Sequence, residues 1–454
     1  MTISLRTVRI PDFGVPLDRP AIPSATYDAR ARALAERAGT DWVVVYADRE
    51  HNANIAFLTG FEPRFEEALL LLGPGGKRIL VVGNECQSYA PLAGLPDIEI
   101  VLCQTLSLMG QDRSRKPNLA AVLRDCGIGR GATIGLAGWK YLGEDEWEGP
   151  LPSFQAPAFV VDTLRLVAGD PAAVRDVTPV LMHPETGLRA VVDVHQIAAG
   201  EWGAARASAA VWRIVSGLRD GDSEYAATAR MGYAGEALNA HVMFASARAG
   251  EPVVGLRSPT ARIVKRGDGV TTAVSYWGGL SSRAGLANDG DDAFLDVSKA
   301  YFAGLLSWYE TADIGVSGGD LFEEVTATLA RGGLGSALNP GHLVGHDEWV
   351  HSPVRPGSTE RLASGMPFQI DVIPVPMPDG WALNCEDAVT FADASLRAEL
   401  AALYPEVAQR IEARRAFMAD EIGVALKPSI LPLSSTPLCL PPFWLASDRL
   451  LARD

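Results

Sequence analysis

The stretch NPGHLVGHDEWVH, residues 339–351, holds three of the chain's seven histidines, His342, His346 and His351. Asp347 and Glu348 stand among them. His342 and His346 are four residues apart, a spacing that puts two side chains on one face of a helix. Pro340 and Gly341 just before them argue instead for a loop or the start of an element. Paired histidines can bind a metal. They are equally at home buried and hydrogen-bonded in a core. At this level both readings stand.

Two segments further on add carboxylates. GMPFQIDVIPVPMPDG (365–380) sets Asp371 inside an otherwise apolar strand-like run, and WALNCEDAVTF (381–391) does the same with Glu386 and Asp387. An acid facing a core is costly unless it is paired or ligating. The competing reading has these acids facing solvent or pairing with arginines. Neighbours on a strand point to opposite faces, so Glu386 and Asp387 are not expected to share one environment.

Composition limits the classes of function. At 454 residues the chain exceeds what one core usually serves, so two domains are expected. A 48% hydrophobic and 21% charged composition is that of a globular protein. The net charge of −15 disfavours nucleic acid or an anionic membrane as partner, because both call for basic surface. The five cysteines, Cys86, Cys103, Cys126, Cys385 and Cys439, show no CxxC spacing and imply neither a disulfide framework nor a cysteine zinc site. No signal-type start and no run of the ~20 apolar residues needed to span a bilayer are present. The expectation is a soluble, cytoplasmic protein.

Along the chain, 25–39 has helical periodicity with Gly39 as its stop, and DWVVVYA reads as a buried strand. Residues 67–83 read as a hairpin through a glycine-rich turn. This α/β part, 1–185, includes a proline-rich irregular arm over 1–24. From 187 a long helical pattern runs for some thirty residues, and 223–240 reads as a further helix capped by Ser223. Strands and helices then alternate in an α+β pattern over 186–420. The last stretch, 421–454, is proline-rich yet apolar, and reads as an extended tail packed on the body or on a partner subunit.

A GD-led strand (Gly267, Asp268), a GHxxGH segment, a GM-x-x-x-I-acid segment and an ED strand follow one another in that order. This order resembles the pita-bread family of methionine aminopeptidase, aminopeptidase P, prolidase and creatinase. HNANIAFLTGFEPRFEEALLLL (51–72) resembles the smaller α/β domain of its aminopeptidase P, prolidase and creatinase branch. The resemblance covers most of the chain and implies an α/β N-terminal domain before an α+β pita-bread domain. It also implies a two-metal site with five ligands. Here the two aspartate positions are Ala273 and Ala284, the histidine position is His346, and the glutamate positions are Asp371 and Glu386. Alanine offers no oxygen, so a working dinuclear peptidase is not expected.

Creatinase, the metal-free branch, is the nearer resemblance. GHLVG (341–345) is similar to its pocket segment, which places His342 there. Its catalytic histidine would fall at 256–258, where the chain reads Leu256, Arg257 and Ser258. His241, His342 and His346 are the alternatives for proton transfer. Asp371 and Glu386 would orient a histidine or hold a cationic group. Arg64 matches an arginine that grips a substrate carboxylate, and Arg283 is expected to fill the emptied charge site by pairing with Asp371 or Glu386. Tyr276, Trp277 and His351 are further candidates for the pocket wall. The expected function is metal-independent hydrolysis of a C–N bond in a small nitrogenous acid by a homodimer, with no cofactor. Two alternatives stay open: a single divalent metal ion on His346, Asp371 and Glu386, and a non-catalytic binding protein on the same scaffold.

Overall fold

The computed structural model describes residues 2–454. The chain divides into an N-terminal unit, 21–190, and a C-terminal unit made of residues up to 20 together with 191–454. The expected boundary at 185 thus falls near 190. The arm belongs to the C-terminal unit because β1 (Ile3–Thr7) pairs antiparallel with the chain's last strand.

In the N-terminal unit, the helix Ser24–Ala38 stops at Gly39, which takes the left-handed conformation (φ 62°) that closes helices cheaply. Six strands follow: β2 (Trp42–Ala47), β3 (Ala68–Gly73), β4 (Lys77–Val82), β5 (Glu99–Leu102), β6 (Ile134–Ala137) and β7 (Val174–Asp176). They form one sheet in the order β5-β4-β3-β2-β6-β7. The pairs β2–β3 and β3–β4 are antiparallel, while β4–β5, β2–β6 and β6–β7 are parallel. Every residue of β2 is buried, as expected for an unbroken apolar run covered on both faces. Its core is filled by Val44, Leu71, Val81, Leu123 and Leu164.

In the C-terminal unit, β8 (Met243–Ala247), β9 (Gly269–Tyr276) and β10 (Gly279–Leu286) form an antiparallel meander. Two short strands, β11 (Gly335–Ser336) and β12 (His342–Leu343), precede β13 (Pro367–Ile370), β14 (Pro374–Val375) and β15 (Asn384–Phe391). The tail supplies β16 (Ile430–Pro432) and β17 (Arg449–Arg453). The main sheet runs β12-β13-β15-β10-β9-β8, with β16 beside β15. β1–β17 and β11–β14 are separate pairs. The expected single strand over 365–380 is therefore two: β13 ends at Ile370 against β15, and Pro374 opens β14, which pairs with β11 instead.

The helix Val194–Gly217 packs on β9 and β10 and is buried over most of its length. Gly203 lets it approach closely, because a Cβ there would lie 2.1 Å from the Trp277 carbonyl oxygen. Gly203→Ala is expected to cost about 1–3 kcal/mol in urea unfolding through overpacking, in spite of alanine's better helix propensity. Unchanged stability would show that the helix can shift freely.

The helix expected over 223–240 is much shorter. Ser223 caps it as expected, accepting from the Ala226 N–H at 3.1 Å. The α-helix covers only Glu224–Thr228, and one further turn ends at Gly232 (φ 71°). The tail packs on its own unit, with Phe443 and Trp444 buried. All five cysteines are buried and unpaired. Among the described residues, no helix is long and apolar enough to cross a membrane.

Candidate functional site

Three neighbouring strands assemble the site. His342 on β12 lies opposite Gln369 on β13. Asp371 follows β13 directly, and Glu386 on β15 lies opposite Ser282 on β10. The Tyr301 hydroxyl ties the last two segments together. It donates to the Val372 carbonyl at 2.8 Å and accepts from the Cys385 N–H at 3.0 Å. Asp371 and Glu386 are thereby held by the backbone beside each of them.

His342, Asp371 and Glu386 are all buried, and each offers a ligand atom within 4.8 Å of the other two. The Gln369 amide donates to Glu386 Oε1 at 3.0 Å and to the Leu280 carbonyl at 2.7 Å. The His342 ring stacks on Trp349, with centroids 4.0 Å apart. Its Nε2 lies 2.9 Å from Glu348 Oε1, off the line of an aligned hydrogen bond. No donor meets Asp371 Oδ1, although Asp371 is only 6% exposed. A buried carboxylate oxygen left without a donor is costly in a finished core, and is what a ligand site presents before its ligand arrives.

The electrostatics follow from this crowding. Burial raises the Asp371 carboxyl to about 6; His342 pulls it back, and Glu348 adds to the rise. Burial, reinforced by Asp371 and Glu348, holds Glu386 well above the usual carboxylate range. For His342, burial opposes the charged form, but Glu348 and then Asp371 outweigh it and raise the imidazole above its ordinary value. Near neutral pH the cluster therefore keeps a proton that isolated carboxyls would have lost.

Asp371 and Glu386 border a cavity of about 510 Å³ that lies within the C-terminal unit. Ala273 and Ala284 line the same cavity, as does Ser282, which lies opposite Ala273 in the β9–β10 pairing. Where the resemblance implies aspartates, the wall is methyl groups. The cluster that reaches this wall through Asp371 and Glu386 offers one imidazole and two carboxylates, which is enough for a single ion with open positions.

Several expected placements are corrected. The histidine that meets the two acids is His342, because the short β12 pairing carries it onto the sheet. His346 lies outside the cluster. Its ring meets Trp277 edge-on at 5.1 Å, and Arg19 Nη2 lies 3.5 Å from its Nε2. Arg283 does not pair with Asp371 or Glu386. Strand alternation turns it to the face opposite Ser282 and Ala284, where it is fully buried and binds both Asp387 oxygens at 2.9 and 3.0 Å. It also donates to the carbonyls of Thr436 (2.6 Å) and Cys439 (2.7 Å), so it fastens the tail to the sheet.

His241 is exposed, with Nε2 2.9 Å from the Leu256 carbonyl oxygen, and does not line the cavity. Tyr276 is core, packed edge-on against Trp202. Trp277 carries the Arg19 guanidinium over its ring at 4.8 Å. The His351 backbone closes the loop, its carbonyl accepting from the Leu343 N–H at 2.7 Å. Arg64 belongs to the N-terminal unit, where it contacts Glu62 and the Tyr89 hydroxyl. Glu348, Trp349 and Gln369 escaped the sequence reading as site residues. The acid and the aromatic of HDEW, so close to His342, were the available signal for two of them.

A six-stranded α/β unit followed by an antiparallel sheet wrapped by helices is the pita-bread architecture, and this chain has that fold. Its counterparts among solved structures include a prolidase from Thermococcus sibiricus: 16% identity, TM-score 0.64, covering 82% of this chain and 95% of that one. A dipeptidase from Mycobacterium ulcerans is 20% identical, with TM-score 0.59 over 82% of this chain and 94% of that one. An X-Pro aminopeptidase from Thermotoga maritima is 16% identical, with TM-score 0.59 over 79% and 95%. No protein-family model and no curated protein matches the chain.

Proposed function

We propose that this protein is a hydrolase that cleaves a C–N bond of a small nitrogenous molecule, with His342, Asp371 and Glu386 as the reacting wall and without a dinuclear metal centre. The observation that carries this reading is the meeting of these buried groups beside Asp371 Oδ1, an acceptor with no donor. The peptidase names of its fold counterparts support C–N cleavage as the reaction class. The alanines at 273 and 284 speak against two metal ions, since neither supplies a ligand atom.

In this reading Asp371 Oδ1 accepts a hydrogen bond from water and takes its proton as the oxygen attacks carbon. The Glu386 carboxyl, kept protonated by burial, gives its proton to the leaving nitrogen. The proton on Asp371 then returns to Glu386, so the sum is addition of water across the C–N bond. The His342 imidazolium stabilises negative charge that develops at the carbon centre. The creatinase resemblance further supports a cytoplasmic homodimer acting on a small molecule.

A second reading is favoured by the 4.8 Å span of the donor atoms: one divalent ion held by His342, Asp371 and Glu386. Such an ion would supply Lewis-acid polarisation of water or substrate. A panel of small amides, ureas and amidines, assayed by release of amine or ammonia, separates the two. The expected result is turnover that survives exhaustive chelation and falls at least ~100-fold in His342→Ala. Activity lost with EDTA and restored by Mn²⁺ would move the assignment to the single-ion reading.

A further inference from the structure

The cavity does not resemble a site for a small acid. Its acidic lining residues are Glu348, Asp371 and Glu386, and among the described residues no lysine or arginine lines it. The remaining wall is dominated by apolar and aromatic side chains, among them Leu256, Leu338, Met377 and Trp381, with Trp349 beside the acids. Arg283, expected to pair with the acids of this cavity, faces away and is committed to Asp387. His342, the cationic group within reach, is already engaged by Glu348 at 2.9 Å.

A carboxylate brought into this cavity would meet like charges with no free cation, a juxtaposition that costs affinity strongly at low dielectric. A positively charged nitrogen would instead find the Glu348 and Asp371 carboxylates, the latter with its donor-free Oδ1, and two indole rings. A volume of about 510 Å³ lies within the range of small-molecule pockets and exceeds what a compact guanidino acid fills.

We infer that the ligand of this cavity is an apolar-bodied organic cation, an amine or amidine bearing an aromatic or branched aliphatic group, and not a carboxylic acid. The cationic nitrogen sits against Glu348 and Asp371, and the apolar body lies along Trp381, Leu256 and Met377. This inference rests on the hydrolase reading only in taking the His342–Asp371–Glu386 wall as the reacting end. The choice of ligand follows from the lining.

Titration calorimetry on the full-length, chelated protein tests it, with phenethylamine and benzamidine as cations, phenylacetate and benzoate as anions, and 2-phenylacetamide as the neutral body. The cations are expected to bind at least about tenfold more tightly than the anions. Glu348→Gln, a change at a half-exposed residue, is expected to weaken phenethylamine about fivefold or more while leaving 2-phenylacetamide unchanged. Asp371→Asn is a second charge-removing variant with the same expected pattern. Anions binding as tightly as cations overturns the inference, as does no binding by any probe. Equal weakening of cation and neutral probe in both variants also overturns it. Cations that bind while no panel compound is ever hydrolysed would sink the hydrolase reading and leave this inference standing. Turnover of carboxylate substrates would do the reverse.

Discussion

Arg283→Ala is expected to lower the unfolding free energy by about 3–5 kcal/mol, because it strands a buried carboxylate. Asp387 is 2% exposed, and its side chain meets Arg283, the Leu438 N–H at 2.8 Å and little else that is charged. The guanidinium also serves the carbonyl oxygens of Thr436, Cys439 and Glu386, none of which alanine could satisfy. Loss of the arginine therefore unpairs the sheet from the tail as well as the acid from its cation. Arg283→Lys is expected to recover only part of the loss, since one ammonium cannot replace a planar fork with several donors. The double variant Arg283→Ala/Asp387→Ala is expected to be less damaged than the sum of the single changes. Urea unfolding followed by circular dichroism measures all of these. A loss under about 1 kcal/mol in Arg283→Ala would show that the pair is solvated and that the tail is held by its apolar side chains alone.

Asp371→Asn is expected to separate stability from function. In the folded protein the Asp371 carboxyl ionises at about 6, against an ordinary value of 3.8. An acid whose folded value is raised penalises the folded state once it ionises. The penalty is absent below pH about 4, grows between the two values, and is complete above about 6. Asparagine removes it. The variant should therefore gain roughly 1–3 kcal/mol over the parent at pH 8, a difference that closes as the pH falls to 4. The same change removes the proposed base, so turnover should fall at least about 100-fold. In the parent, turnover should rise as pH climbs through about 6, where Asp371 becomes able to accept a proton. Unfolding curves from pH 4 to 8 in chelating buffer give the first result, and the amine-release assay the second. A variant that is less stable than the parent at pH 8 would show that Asp371 is a satisfied structural group.

Much of the architecture is legible locally. The apolar runs of β2 and β3, the glycine that stops the first helix and the Ser223 cap are each decided by residues next to one another. Short-range signals fail where a helix is interrupted, as at Gly232, or where an apolar run changes its pairing partner, as between β13 and β14. The carboxylates were recognisable as expensive in their strands, and all of Asp371, Glu386 and Asp387 are buried. Their partners were not recognisable, because a partner is chosen by a strand that can lie a hundred residues away.

Sequence by itself determined the order of the pita-bread segments, the absence of oxygen ligands at Ala273 and Ala284, and the rule that Glu386 and Asp387 face opposite ways. These depend on residue identity and on the two-residue period of a strand. Only the tertiary structure decided that His342 and not His346 meets the acids, and that Arg283 serves Asp387 behind the sheet. It also decided that the arm and the tail close one unit through β1 and β17. Each of those outcomes is a matter of register between distant strands. A shift of one residue exchanges the cavity face for the opposite one, so spacing along the chain cannot choose between them.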